Sequence, residues 1–195
     1  VATASVRTPW GYTVALADGS TALPPLMTVS ELQVALGRAY SSEKAAWALD
    51  AVSAAIRDWC GWHVFPRLAC ERVGTGDGRI MVIPAIGDVD VSSVTVSGVT
   101  LDPSAYEWDE RGIVRLVSGT FPDRWRSVTV DYTAGLESAL AIQTAVTNTA
   151  ANFLAMTPGV KSETLGDQSV QYMGAGVYLT EPDKAALARY RLWEA

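Results

Sequence analysis

The chain has 195 residues, 49% of them hydrophobic and 18% charged, which is the composition of an ordinary folded protein with room for a sizeable core. A net charge of −6 and a pI near 4.8 argue against a general nucleic-acid binder, which would show a basic face. Two cysteines cannot build a disulfide framework, no basic stretch leads into a long apolar run at the start, and no segment reaches the roughly 20 apolar residues of a membrane span, so the expectation is a chain kept in a reducing cytoplasm.

Residues 1 to 27 show no sustained period and carry Pro9, Pro24 and Pro25, which reads as an extended N-terminal arm with room for a short strand at 12 to 17. Helical signals follow. Thr28-Val29-Ser30-Glu31 spells a capping box that opens a helix running to about Arg38. Ser41 or Ser42 can cap the next, in which Leu49, Val52, Ile56 and Trp59 recur at spacings of three and four. That helix is predicted to stop at Cys60, since Gly61 suits the left-handed position just past a helix end.

Beyond Gly61 the apolar period falls from 3.6 to 2. Residues 63–73, 79–83, 90–96, 106–108, 113–117 and 127–132 read as strands separated by glycine, proline and aspartate turns. Alternation in Val128-Thr129-Val130-Asp131-Tyr132 marks a sheet with one solvated face. Helix is expected again over 137–156, then a Gly-rich loop or hairpin over 160–178. A last helix follows, capped by Thr180 with Pro182 and Asp183 in its first turn. Helices, strands, helices: the order predicts an α+β fold, a small bundle of about four helices with an antiparallel β unit inserted at about 63–134.

Several residue groups invite a chemical reading. Cys60 and His63 stand three apart among Trp59, Gly61 and Trp62, but a zinc site needs three or four ligands, and His63 is the single histidine. A Cys–His dyad would need the imidazole within reach of sulfur across a chain reversal that the sequence does not secure. No serine sits in a nucleophile elbow, and Gly74-Thr75-Gly76-Asp77-Gly78 lies between strands rather than opening a helix, as a phosphate loop does. Asp88-Val89-Asp90 begins like a calcium loop but lacks the later glycine and glutamate. Glu107, Asp109 and Glu110 cluster before a turn, and Tyr106, Trp108 and Trp125 are aromatics able to stack a sugar or a base. On these grounds no metal, cofactor or catalytic residue is expected. Trp59, Cys60, Gly61, Trp62 and His63 are read as a structural joint where a helix gives way to the β unit.

Three stretches carry a resemblance. They are "AAIRDWCGWHVFP" at 54–66, "VTVDYTAGL" at 128–136 leading into a helix, and "GVKSETLGDQSVQY" at 159–172 between two helices. Together with the order of elements they look like the head–tail connector (adaptor) proteins of long-tailed bacteriophages and prophages, over most of residues 28–195. The resemblance implies a non-enzymatic virion protein, made in the host cytoplasm and located at the neck beneath the capsid vertex. Such adaptors form a ring, usually twelve-fold, under the portal protein. They extend a channel through which genomic DNA passes without specific binding, and they dock stopper or tail-completion proteins. They have no membrane role. It also implies one connector domain over 28–195, ending in a loop and helix over 157–195. Compact members of the family lack the β unit.

A ring uses two different patches on every subunit, and segments with few apolar residues commonly order on a neighbour. Lys161, Ser162, Glu163, Thr164, Leu165, Gly166, Asp167, Gln168, Ser169, Val170, Gln171 and Tyr172 are therefore the expected subunit or portal interface. Three rival readings stand beside it: a head-closure or tail-completion protein, a β-rich carbohydrate-binding module using Trp108 and Trp125, and a hydrolase using His63.

Overall fold

The computed structural model describes residues 4–138, 140–155, 162–165, 168–171 and 177–192. The chain divides into two units. The first takes in residues 1–24, 60–138 and 190–195, and the second residues 25–59 and 139–189.

The first unit is built on a six-stranded antiparallel sheet. Its strands are β1 (Ala4–Arg7), β2 (Thr13–Leu16), β3 (Leu68–Gly74), then β5 (Asp90–Val96) and β6 (Val99–Thr100), and finally β9 (Val128–Ala134). They lie in the order β1-β2-β3-β9-β5-β6. A three-stranded sheet in the order β4-β8-β7 is made by β4 (Ile80–Val82), β7 (Tyr106–Trp108) and β8 (Ile113–Leu116).

Register explains the alternation read from sequence. Val14, Cys70, Tyr132 and Val91 face one another across four strands and are all buried. The next row, Thr13, Glu71, Asp131 and Ser93, lies on the opposite, solvated face. Between Val91 and Ser93 the register slips by one residue, a β-bulge that leaves Ser92 unpaired in the ladder.

The second unit holds α1 (Val29–Leu36), most of α2 (Ser42–Cys60), α3 (Leu140–Ala155), a hairpin of β10 (Ser162–Leu165) with β11 (Gln168–Gln171), and α4 (Glu181–Leu187). Thr28 and Glu31 close the expected capping box on α1, and Thr180 with Asp183 closes another on α4. Ser41 caps α2 through its hydroxyl, which accepts from the Lys44 N–H at 3.3 Å. Ala45, Leu49, Val52 and Ile56 are fully buried along α2, the i, i+4, i+7 stripe that an amphipathic helix presents to a core.

The expected fold class needs correction. The chain is sheet-rich, and the six-stranded sheet is a principal layer rather than a small insertion in a helical bundle. The physical reason lies at the N-terminus. The alternation of Tyr12, Val14 and Leu16 marks the short strand expected at 12–17 but not its place in the sheet, and all three side chains are buried once β2 pairs with β3. Two strands drawn from residues 4–16 thus widen a sheet that the sequence pattern had confined to residues 63–134.

Candidate functional site

Residues 59–63 span the end of helix α2 and the turn that follows it. Helix α2 stops at Cys60, and Gly61 adopts φ +80, the left-handed conformation that ends many helices. Trp62 and His63 are fully buried. The indole N–H of Trp62 donates to the Tyr190 carbonyl at 2.7 Å, and the Leu192 N–H donates to the Cys60 carbonyl at 2.9 Å. Trp59, on the other side of the junction, lies under the Lys184 ammonium, 5.3 Å from the ring centroid.

His63 is held on both ring nitrogens. Its Nδ1 lies 2.7 Å from the Tyr12 hydroxyl and its Nε2 lies 2.9 Å from the Ala134 carbonyl. Because Ala134 O can only accept, Nε2 carries the proton; the Tyr12 O–H then donates to Nδ1 while its oxygen accepts the His63 backbone N–H at 2.9 Å. One side chain therefore ties β2's approach, the joint and the end of β9 together. Val64, next in line, sits at φ +62, a costly conformation for a β-branched residue. The Leu136 N–H fixes it by donating to the Val64 carbonyl at 2.8 Å. With no face open to solvent, the imidazole acts as a cross-brace.

The remaining sequence candidates are placed as follows. Burial pushes the Cys60 and Cys70 thiols up to about 12, so neither is a thiolate near neutrality. Among the described residues, no group of three or more His, Cys, Asp and Glu side chains could hold a metal ion. Glu107 pairs with Arg115 on the exposed face of β7 and β8. Asp109 accepts the Arg111 and Ile113 N–H groups at 2.9 and 3.0 Å, an ordinary use of aspartate in a turn. Gly76 lies in a turn against Phe121, where a Cβ would come within 2.4 Å of that ring. Tyr106 and Trp108 approach each other at 6.1 Å, and the Trp108 indole donates to the Val89 carbonyl at 3.2 Å. Trp125 lies apart from both, on the loop before β9, and is 89% exposed.

Of the expected interface, Ser162–Leu165 and Gln168–Gln171 form an antiparallel hairpin, with Ser162 opposite Gln171 and Leu165 opposite Gln168. Lys161, Gly166, Asp167 and Tyr172 lie outside the described residues.

One surface feature was not legible in the sequence. On the solvated face of the six-stranded sheet a hollow of about 280 Å³ is floored by Ala15, Ala69 and Thr133, with Ser5 at one side and Glu71 and Asp131 along another. Its members come from five strands, β1, β2, β3, β5 and β9, spread over residues 5 to 133. A small residue at an outward strand position was the single available signal, and it points to no site by itself.

No family model matches the sequence, and no curated protein matches it. Solved structures do. The chain is similar to a chain of the neck of an empty GTA particle computed with C6 symmetry, at 19% identity and a TM-score of 0.59, covering 94% of this chain and 96% of that one. It is also similar to a chain of the neck of a native GTA particle computed with C12 symmetry, at 16% identity and a TM-score of 0.52, covering 89% and 97%. The fold, both units included, is thus that of neck chains.

Proposed function

We propose that the protein is a structural component of a phage-like neck, a head–tail connector that forms a ring beneath the portal, extends the DNA channel and docks a stopper or tail protein. One observation carries the reading: the likeness to a neck chain runs over 94% of this chain and 96% of that one, so it is no shared fragment. The resemblance of 54–66, 128–136 and 159–172 to connector proteins was read from sequence alone and points the same way.

In this reading the chain is not an enzyme and needs no cofactor. Its buried polar residues, His63 foremost, serve the fold. The hairpin around Ser162–Gln171 makes a contact to a neighbouring subunit or to the portal. The acidic balance suits a channel wall along which DNA slides without sticking. The protein resides in the virion neck and, before assembly, in the host cytoplasm.

The test is assembly. Purified chain mixed with its cognate portal should co-sediment with it, and electron micrographs should show a ring stacked on the portal. A chain that neither binds portal nor forms rings at any concentration tried would sink the proposal.

A further inference from the structure

We infer that Trp125, carried between Arg124 and Arg126, is a knob that seats in the acidic hollow on the outer sheet face of a second copy of this chain. The inference rests on the ring reading above and names one of the contacts that would close the ring.

Trp125 is the most exposed large hydrophobic side chain among the described residues, at 89%. The loop that presents it is anchored. Phe121 is buried and its N–H donates to the Gly78 carbonyl at 2.7 Å, the Arg124 N–H donates to the Pro122 carbonyl at 2.8 Å, and the Arg126 N–H donates to Thr75 Oγ1 at 3.1 Å. Arg126 is held at φ +55, a conformation few arginines adopt. An exposed indole flanked in sequence by two arginines has the composition of an interface anchor: Trp and Arg are prominent in binding hot spots.

The hollow is complementary in size and charge. At about 280 Å³ it falls just below the ~300 Å³ at which small-ligand pockets begin, which suits one large side chain better than a free ligand. Small side chains at Ala15 and Ala69 make the floor, and Glu71 and Asp131 sit side by side in register along it. Asp90, opposite Thr133, adds a third carboxylate to that face, while Arg7, opposite Thr13, is the nearby cation in the register.

The charges on both sides are unmatched. Among the described residues neither Arg124 nor Arg126 reaches a carboxylate, and Glu71 reaches no cation; the Asp131 carboxylate accepts one side-chain hydrogen bond, from the Ser93 hydroxyl at 2.7 Å. Asp123, on the same loop, offsets part of the basic charge but leaves it net positive. Knob and hollow are different patches of one unit. A contact between them is therefore heterologous, the kind that closes a ring when the rotation allows it.

The test uses the full chain. Cysteines introduced as Trp125→Cys and Ala69→Cys should give disulfide-linked multimers when both are in one chain, and linked dimers when the two single variants are mixed. Neither single variant should link to itself; both are made with Cys70→Ala, because Cys70 also lines the hollow, while Cys60 is buried. Trp125→Ala should weaken self-association at least tenfold in sedimentation. Arg124→Glu with Arg126→Glu should abolish it, and adding Glu71→Arg to that double variant should restore a substantial part. Circular dichroism confirms the fold of each.

Rings that form equally well in all variants would overturn this contact and leave the ring reading standing. A wild-type chain that stays monomeric and a cysteine pair that never links would overturn it as well. Variants that keep their rings but lose retention of DNA would assign the loop to nucleic acid and overturn it too.

Discussion

The Tyr12 hydroxyl and the His63 imidazole meet at 2.7 Å in the interior, and the same hydroxyl takes the His63 backbone N–H at 2.9 Å. A residue from the N-terminal stretch thereby fixes the point where helix α2 hands over to the sheet. The bond has a consequence that separates bracing from catalysis. Tyr12→Phe leaves the ring packing nearly unchanged but strips a buried N–H and a buried ring nitrogen of their partner. It should cost about 1–3 kcal/mol. His63→Ala adds a cavity and should cost more. Both are read by urea unfolding, and loss of a chemical activity is not part of the expected result.

The two thiols give a pH dependence whose sign is fixed by burial. Both are raised from 9.0 to about 12 in the folded chain, so the unfolded chain releases protons first. Between those values the folded state binds more protons than the unfolded one, and stability falls as pH rises. The slope contributed is at most about 1.4 kcal/mol per pH unit for each thiol. It fades below about pH 8, where the unfolded thiols are protonated as well. A Cys60→Ala, Cys70→Ala double variant should show a shallower alkaline decline than the wild type in chemical denaturation series. The same burial predicts that thiol reagents leave the folded protein unlabelled at pH 8 and label it in denaturant.

Gly135 is the tightest backbone position beside the joint. It sits at φ +117, and a Cβ there would come within 2.3 Å of the Pro66 carbonyl oxygen, 2.8 Å of Arg67 Cα and 2.9 Å of His63 Nε2. Gly135→Ala should therefore cost more than about 3 kcal/mol, because backbone rather than a flexible side chain must move. Gly98→Ala is the control. That residue also has positive φ, at +84, but faces open space, so its cost should stay near 1 kcal/mol. Thermal unfolding of the pair separates collision from backbone conformation.

Local signals account for what could be read in advance. The boxes at Thr28/Glu31 and Thr180/Asp183, the stop at Cys60-Gly61 and the strands at Asp90–Val96 and Tyr106–Trp108 each depend on neighbours a few residues away. The fold class was misjudged because β2 joins the sheet by pairing with β3, some 55 residues distant, and β1 joins it by pairing with β2; four-residue strands carry almost no period of their own. The role of His63 was readable only as an absence of partners for chemistry; that its partner would be Tyr12 was not. The hollow at Ala15, Ala69, Glu71 and Asp131 is a product of register across strands, which no single stretch encodes.

The hairpin supplies the sharpest test of where assembly resides. Its strands, Ser162–Leu165 and Gln168–Gln171, pair with each other, whereas the helices on either side carry the buried positions: Ile142, Val146, Ala150 and Leu154 on α3, and Asp183 and Leu187 on α4. Core packing of the second unit should accordingly survive removal of residues 163–173, since a two-stranded hairpin contributes little stability alone. Loop closure after such a cut changes by well under about 1 kcal/mol for a modest change in length. The shortened chain should keep its circular dichroism spectrum and unfold within a few degrees of the wild type, yet fail to enter heads or rings. If it assembles as the wild type does, the hairpin is not an assembly contact, and the docking surfaces must be sought on the first unit.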